Sequence, residues 1–148
     1  MKRERFQTYA AVYLIAIRGG KILMMRRQNT GWSDGLYSLP AGHIDGSESA
    51  RTAMIREANE EVGISIKPED LSFALIVHRN SPDREYIDFY FVVEDWQGEP
   101  YNAEPDKCDD LRWSDIDKIR GDIIPNVKQA LEAYREGLKY VEYGWDNI

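Results

Sequence analysis

One predicted helix constrains this chain more than any other segment. Residues 49–62 carry apolar side chains at helical spacing, with Ser47 read as the N-cap and Gly63 as the C-terminal stop. At about 100° of turn per residue, Ala50, Met54, Ile55, Ala58 and Val62 form one apolar arc that must pack on another layer. Glu61 falls inside that arc, Glu57 at its edge and Glu60 further round, beside Ala53. Arg51 also interrupts the arc near its start. Burying an ionised carboxylate is costly unless it is paired. Carboxylates spaced i, i+3 and i+4 also repel one another. A divalent cation resolves both difficulties, because hard cations prefer carboxylate oxygens. The alternative is a solvated face on which Arg56 pairs with Glu60.

The flanking segments predict what this helix packs on. Tyr9–Arg18 and Lys21–Arg27 read as strands joined at Gly19-Gly20 into a hairpin. Gln28–Tyr37 is a loop, and Leu39–Gly42 is a short extended stretch. Ser72–His78 and Tyr86–Glu94 read as strands around a turn at Asn80-Ser81-Pro82-Asp83, with a short strand at Leu111–Trp113. A last helix is predicted from Pro125 to Glu136, ended by Gly137, while residues 139–148 have no assignment. Strands alternating with two helices, with no repeat or linker, predict one α/β domain over residues 1–148: a mixed sheet sandwiched between helices.

Charge and composition exclude several functions. The 148 residues carry a formal net charge of −7, which opposes the dense cationic footprint that gripping polymeric nucleic acid requires. A small polyphosphate is still compatible if cations lie between the two sets of negative charge. There is no apolar run of about 18 residues to cross a membrane. The lone Cys108 and the lack of a signal-peptide pattern lead us to expect a cytoplasmic protein.

The spacing around the helix is more specific than its composition. Gly42 is followed after five residues by Glu48, and after seven more by Arg56-Glu57-Ala58-Asn59-Glu60-Glu61-Val62-Gly63-Ile64. This resembles the Nudix signature, G-x5-E-x7-R-E-U-x-E-E-x-G-U with U a bulky aliphatic residue, at every position, Ala58 being the one small match. Its seven fixed identities should arise by chance in under about one chain in a million. Arg26–Trp32, Gly35–His43 and Glu104–Trp113 resemble MutT-like members of that family, so the resemblance covers most of the chain.

That resemblance implies a Nudix-type α/β/α sandwich with a loop–helix–loop catalytic motif over residues 42–64. It implies Mg2+ or Mn2+ bound by Glu57, Glu60, Glu61 and the carbonyl of Ala41, with the glutamates also supplying the base. Arg56 would orient the carboxylates and Glu48 would support Arg56. The implied reaction is cleavage of a nucleoside triphosphate to the monophosphate and pyrophosphate. The rivals are hydrolysis of another X-linked nucleoside diphosphate, such as ADP-ribose or a dinucleoside polyphosphate, and a non-catalytic nucleotide-binding module. A homodimer is compatible with the family, and no interface is located.

One departure stands out. Where many MutT-like proteins place a glutamate, often a metal ligand, this chain has Lys107. Either Glu104, Asp106, Asp109 or Asp110 replaces it, or fewer metals bind before substrate, or Lys107 meets a phosphate, or it is a solvated loop residue. For substrate contacts the remaining expectations are Arg27, favoured over Arg26 because strand alternation sends the two to opposite faces, and the purine-edge candidates Asp122 and Asn126, the latter equally a helix cap. Trp32, Tyr37, Tyr90 and Trp113 can stack a base or fill the core. His43 is read as a loop hydrogen-bonding residue and His78 as structural.

Overall fold

The computed structural model describes residues 3–145. Strand β1 (Tyr9–Arg18) sits at its centre, pairing antiparallel with β2 (Lys21–Arg27) and parallel with β6 (Glu85–Val93). The β1–β2 turn is Gly19-Gly20 with φ of 57° and 75°, the positive pair a two-residue hairpin of this hand requires. Beyond β2 lie β3 (Tyr37–Ser38) and β7 (Cys108–Asp115), while β4 (Ala41–His43) pairs with the start of β1. On the other side β6 pairs antiparallel with β5 (Leu71–Asn80), and β5 pairs parallel with β8 (Tyr140–Tyr143). The sheet is therefore mixed.

Helices cover its two faces. Along β1, Val12, Leu14 and Ala16 join a buried cluster with Met54, Ala58 and Val62 of α1 (Ala50–Val62). The alternate residues Ala11, Tyr13 and Ile15 join a second cluster with Val127, Ala130 and Leu131 of α2 (Pro125–Arg135). A strand buried on both faces reads as a continuous apolar run, which is why β1 lacks polar alternation. The expected α/β/α sandwich with a mixed sheet is the observed one.

Several local expectations change. The N-cap of α1 is Ser49, whose side chain accepts a hydrogen bond from the Thr52 amide at 3.1 Å. Ser47, two residues too early to reach that amide, lies in the preceding turn with φ of 69°. Gly63 does end α1, in the left-handed region at φ 71°, and a Cβ there would overlap the Tyr101 ring. Arg51 leaves the apolar arc by donating to the Pro68 and Leu71 carbonyls and lying over the Phe91 ring. The short strand expected at Leu111–Trp113 is the middle of the longer β7, because β2 offers it a partner along its whole length. Pro125 opens α2 as expected, but the N-cap is Ile124 with no side-chain cap bond, so Asn126 is not a cap. The unassigned tail forms β8, and Trp145 Nε1 donates to the His78 carbonyl at 2.9 Å. Positions 146–148 of that tail lie outside the described residues.

Candidate active site

The site is built where β4 passes the C-terminal half of α1. Gly42 sits in β4 against the Glu57 carboxylate, and a Cβ at 42 would overlap that carboxylate. A glycine is therefore demanded here by close approach rather than by a positive φ. One turn further along α1, Glu61 accepts from the Ala41 amide at 3.4 Å. Glu57 and Glu61 thus face the same short strand.

Arg56 organises the neighbouring carboxylates. Its Nε and Nη2 donate to the two Glu48 oxygens at 3.2 and 2.7 Å, and Nη1 donates to Glu57 at 2.8 Å. A longer contact of 3.4 Å reaches Glu60, and Nη2 also donates to the His43 carbonyl at 3.3 Å. Lysine, with a point charge, cannot reproduce this planar fork. The hydrogen bonds from Arg56 hold the Glu48 carboxyl below its ordinary pKa. In turn, bonding to Glu48 first and Glu57 next raises that of Arg56.

Glu57 and Glu61 move the other way. Burial raises both, more strongly at Glu61, where the negative charge of Glu57 adds to it and Glu104 contributes. Arg56 offsets part of the effect at Glu57; among the described residues no basic group lies within ion-pair distance of Glu61. Two half-buried carboxylates, of which only Glu57 has a basic partner, fit a divalent cation, which would favour the ionised form of both. Among the described residues no three His, Cys, Asp or Glu side chains already converge into an ion cage. The donors that do converge are the carboxylates of Glu57 and Glu61 beside the backbone of Ala41. Glu60, half exposed, contacts Arg56 at 3.4 Å and lines the same cavity as Glu57 and Glu61.

These groups open onto a cavity of about 570 Å3 that is also lined by Arg26, Arg27, Lys107 and Glu104. Both arginines reach it, against the expectation from strand alternation. The β2–β7 pairing shifts register between Arg26 and Arg27, and an irregularity of that kind breaks the two-residue alternation. Arg26 Nε pairs with Asp109 at 2.6 Å, and Arg27 Nε donates to the Trp32 carbonyl at 2.9 Å. Of the carboxylates near Lys107, Glu104 alone lines the cavity; Asp109 is held by Arg26 and Asp110 accepts from the Tyr37 hydroxyl. Glu104 is brought there because its loop caps α1: Ala103 N–H donates to the Glu61 carbonyl at 3.1 Å, and Tyr101 N–H to that of Val62 at 3.1 Å.

The purine-edge candidates fall elsewhere. Asp122 is engaged by both arms of Arg112, at 2.8 and 3.1 Å. Asn126 is buried, with Nδ2 lacking a partner among the described residues, on the wall of a cavity of about 210 Å3 that also carries Trp32, Arg79, Ser81 and Pro82. Among the four aromatics, Tyr90 stacks on Tyr13 at 4.6 Å, Trp113 on Trp96 at 6.3 Å, and Tyr37 lies under Arg112. Trp32 is partly exposed and borders a second cavity of about 580 Å3 that continues from the first. His43 lies between Tyr9 and Tyr86 on that side, and His78 packs on Trp145.

The profile of the NUDIX domain matches residues 6–136. The chain belongs to the Nudix family. It is 28% identical over 123 residues to the 8-oxo-dGTP diphosphatase of Escherichia coli K12, covering 83% of this chain and 92% of that one. It is likewise 28% identical over 142 residues to Phosphatase NudJ of the same strain, covering 91% and 88%. Among solved structures, a MutT NUDIX hydrolase from Burkholderia pseudomallei superposes with a TM-score of 0.78 at 25% identity, covering 85% of this chain and 97% of that one. The chain is thus a MutT-like Nudix pyrophosphohydrolase.

Outside the Nudix motif, sequence reasoning named Ala41, Arg27 and Lys107, which line the first cavity, but not Arg79, Arg84 or Tyr86 of the second. Glu104 was one of four equivalent acids until its loop was placed. The second cavity brings Arg79, Arg84 and Tyr86 beside Arg27. One signal was available: Arg79 interrupts the apolar strand β5, and a charge inside such a run calls for a buried partner.

Proposed function

We propose that this chain hydrolyses a nucleoside triphosphate to the monophosphate and pyrophosphate, using Mg2+ or Mn2+. The observation that carries the reading is that Glu57 and Glu61 line one cavity together with Arg26, Arg27 and Lys107. An anionic polyphosphate there meets cationic side chains and needs a cation between itself and the carboxylates. Glu57, Glu61 and the Ala41 carbonyl would hold the ion, which would supply neutralisation of phosphate charge. Glu48 and Arg56 position Glu57 through the bonds that fix its Oε1. Glu60, half exposed at the rim, is the carboxylate we assign to accept a proton from the attacking water. Arg27 and Lys107 bind the phosphates, Lys107 as a point charge and Arg27 through its remaining guanidinium donors. Glu104 stands in for the glutamate that Lys107 replaces. Asp122 has no place in this reading, its carboxylate being taken by Arg112.

Pyrophosphate release from a panel of nucleoside triphosphates, ADP-ribose and dinucleoside polyphosphates, with Mg2+, with Mn2+ and in excess chelator, tests the reading. Pyrophosphate from a triphosphate only with metal is expected. Full turnover in chelator, or tight nucleotide binding with no cleavage of any member, would overturn it. Cleavage of other X-linked diphosphates is the second reading, favoured by the room the continuing cavity leaves beyond the phosphates.

A further inference from the structure

The two halves of the cleft differ in their charged lining. The first carries Glu57, Glu60, Glu61 and Glu104 together with Arg26, Arg27 and Lys107. The second shares Arg27, Gly42 and His43 with it, then continues between Arg79, Arg84 and Trp32, with Asp83 its one acidic wall residue. Three arginines thus line one cavity.

These arginines are held in place. Arg79, with its side chain 7% exposed, gives Nε and Nη2 to Asp88 at 2.6 and 3.1 Å, and its guanidinium lies 4.0 Å from the centre of the Tyr86 ring. Asp88 takes two of its five donors. Arg84 lies 4.3 Å from the centre of the Tyr9 ring and pairs with Asp83 at 3.0 Å. Arg27 lies 5.0 Å from the centre of the Trp32 ring. Among the described residues no carboxylate pairs with Arg27 within 4.0 Å. Stacking on aromatic rings fixes the guanidinium planes and leaves their edges as donors. Asn80 and Asn126 line only an adjoining smaller cavity, so beside Ser81 and Asp83 the charged and polar side chains of this one are mainly cationic donors. A set made mainly of cationic donors matches an acceptor-only group such as phosphate.

We infer that this arginine cleft binds a second phosphate of the substrate, distinct from the pyrophosphate bond that is cleaved. The preferred substrates are therefore nucleotides that carry a further phosphate on the part held away from the metal-site glutamates, such as a 2′- or 3′-phosphate. The inference rests on the hydrolase reading for which bond is cleaved, but not for whether the cleft binds phosphate.

Calorimetry in excess chelator removes any cation that would hold phosphate at Glu57, Glu61 and Glu104, and Arg84, which lines the second cavity and not the first, reports on the cleft. Adenosine 3′,5′-bisphosphate should bind at least about tenfold more tightly than adenosine, the worth of one charge-assisted contact. The difference should shrink as salt is raised. The Arg84 side chain is 37% exposed, so its replacement does not threaten the core. Arg84→Gln should reduce the ratio about five- to tenfold, with Arg84→Lys between. Equal binding of the two ligands, absence of bisphosphate binding, or a ratio that Arg84→Gln leaves unchanged would overturn the inference. With Mg2+, ADP-ribose carrying a 2′-phosphate should exceed ADP-ribose in kcat/KM, chiefly through KM. Equal values would overturn the substrate assignment. Failure to cleave any nucleotide would instead count against the hydrolase reading, with the metal-free binding still deciding the cleft.

Discussion

Replacing Glu61 with Gln separates a structural carboxylate from a metal-binding one, because the two roles predict opposite signs. Burial and the charge of Glu57 raise the Glu61 pKa well above its ordinary value. In the unfolded chain a glutamate titrates near about 4.3. Below that pH the carboxyl is protonated in both states, and Gln is a fair mimic. As pH rises, the unfolded chain releases its proton first, so the native state binds more protons and wild-type stability falls until the folded pKa is passed. Metal-free Glu61→Gln should therefore match wild type at acid pH and exceed it by about 1–3 kcal/mol near neutrality, the usual cost of a buried polar group left without its compensation. Metal reverses the order. At a hundredfold excess over its Kd a cation stabilises wild type by about 2.7 kcal/mol. For a chain of this length that is about 5–10 °C in Tm. Glu61→Gln should lose most of that gain. Thermal unfolding of both proteins from about pH 4 to about pH 8, a range that runs from just below the unfolded glutamate pKa to beyond neutrality, with chelator and with Mg2+, measures all four quantities. Lower metal-free stability of the variant at neutral pH, or a full metal-induced Tm shift in it, would refute the reasoning.

Three further outcomes follow from the same geometry. Gly42→Ala places a Cβ where the Glu57 carboxylate lies, so kcat should fall about a hundredfold while the fold, read by circular dichroism, survives. Lys107→Ala should raise KM about tenfold or more with a smaller effect on kcat; unchanged steady-state kinetics would remove Lys107 from the phosphate wall. Arg79→Met leaves Asp88, fully buried, without its partner and should cost about 3–5 kcal/mol in urea unfolding, most of it recovered in Arg79→Met/Asp88→Leu; a double variant no more stable than the single would show that the pair is not the source of the loss.

The sequence by itself determined the helix that carries the chemistry. Its apolar arc, its stop at Gly63 and the spacing from Gly42 to Ile64 are local properties, set by periodicity and by side chains a few residues apart. So was the two-faced burial of β1, because a strand covered on both sides leaves an unbroken apolar run. Register and loop placement are different, since they depend on which distant segments meet. The shift between Arg26 and Arg27 arises from pairing with β7, more than 80 residues away, and it overrides the alternation a lone strand would show. Glu104 becomes part of the site because its loop satisfies the last carbonyls of α1, a requirement invisible from residues 104–107 alone. Lys107 departs from the MutT-like pattern in the sequence, and only the fold brings it to the cavity that the glutamates line. The arginine cleft is the clearest case. Arg27, Arg79 and Arg84 belong to β2, β5 and the turn before β6, and only closing the sheet around β1 puts their guanidinium groups in one cavity.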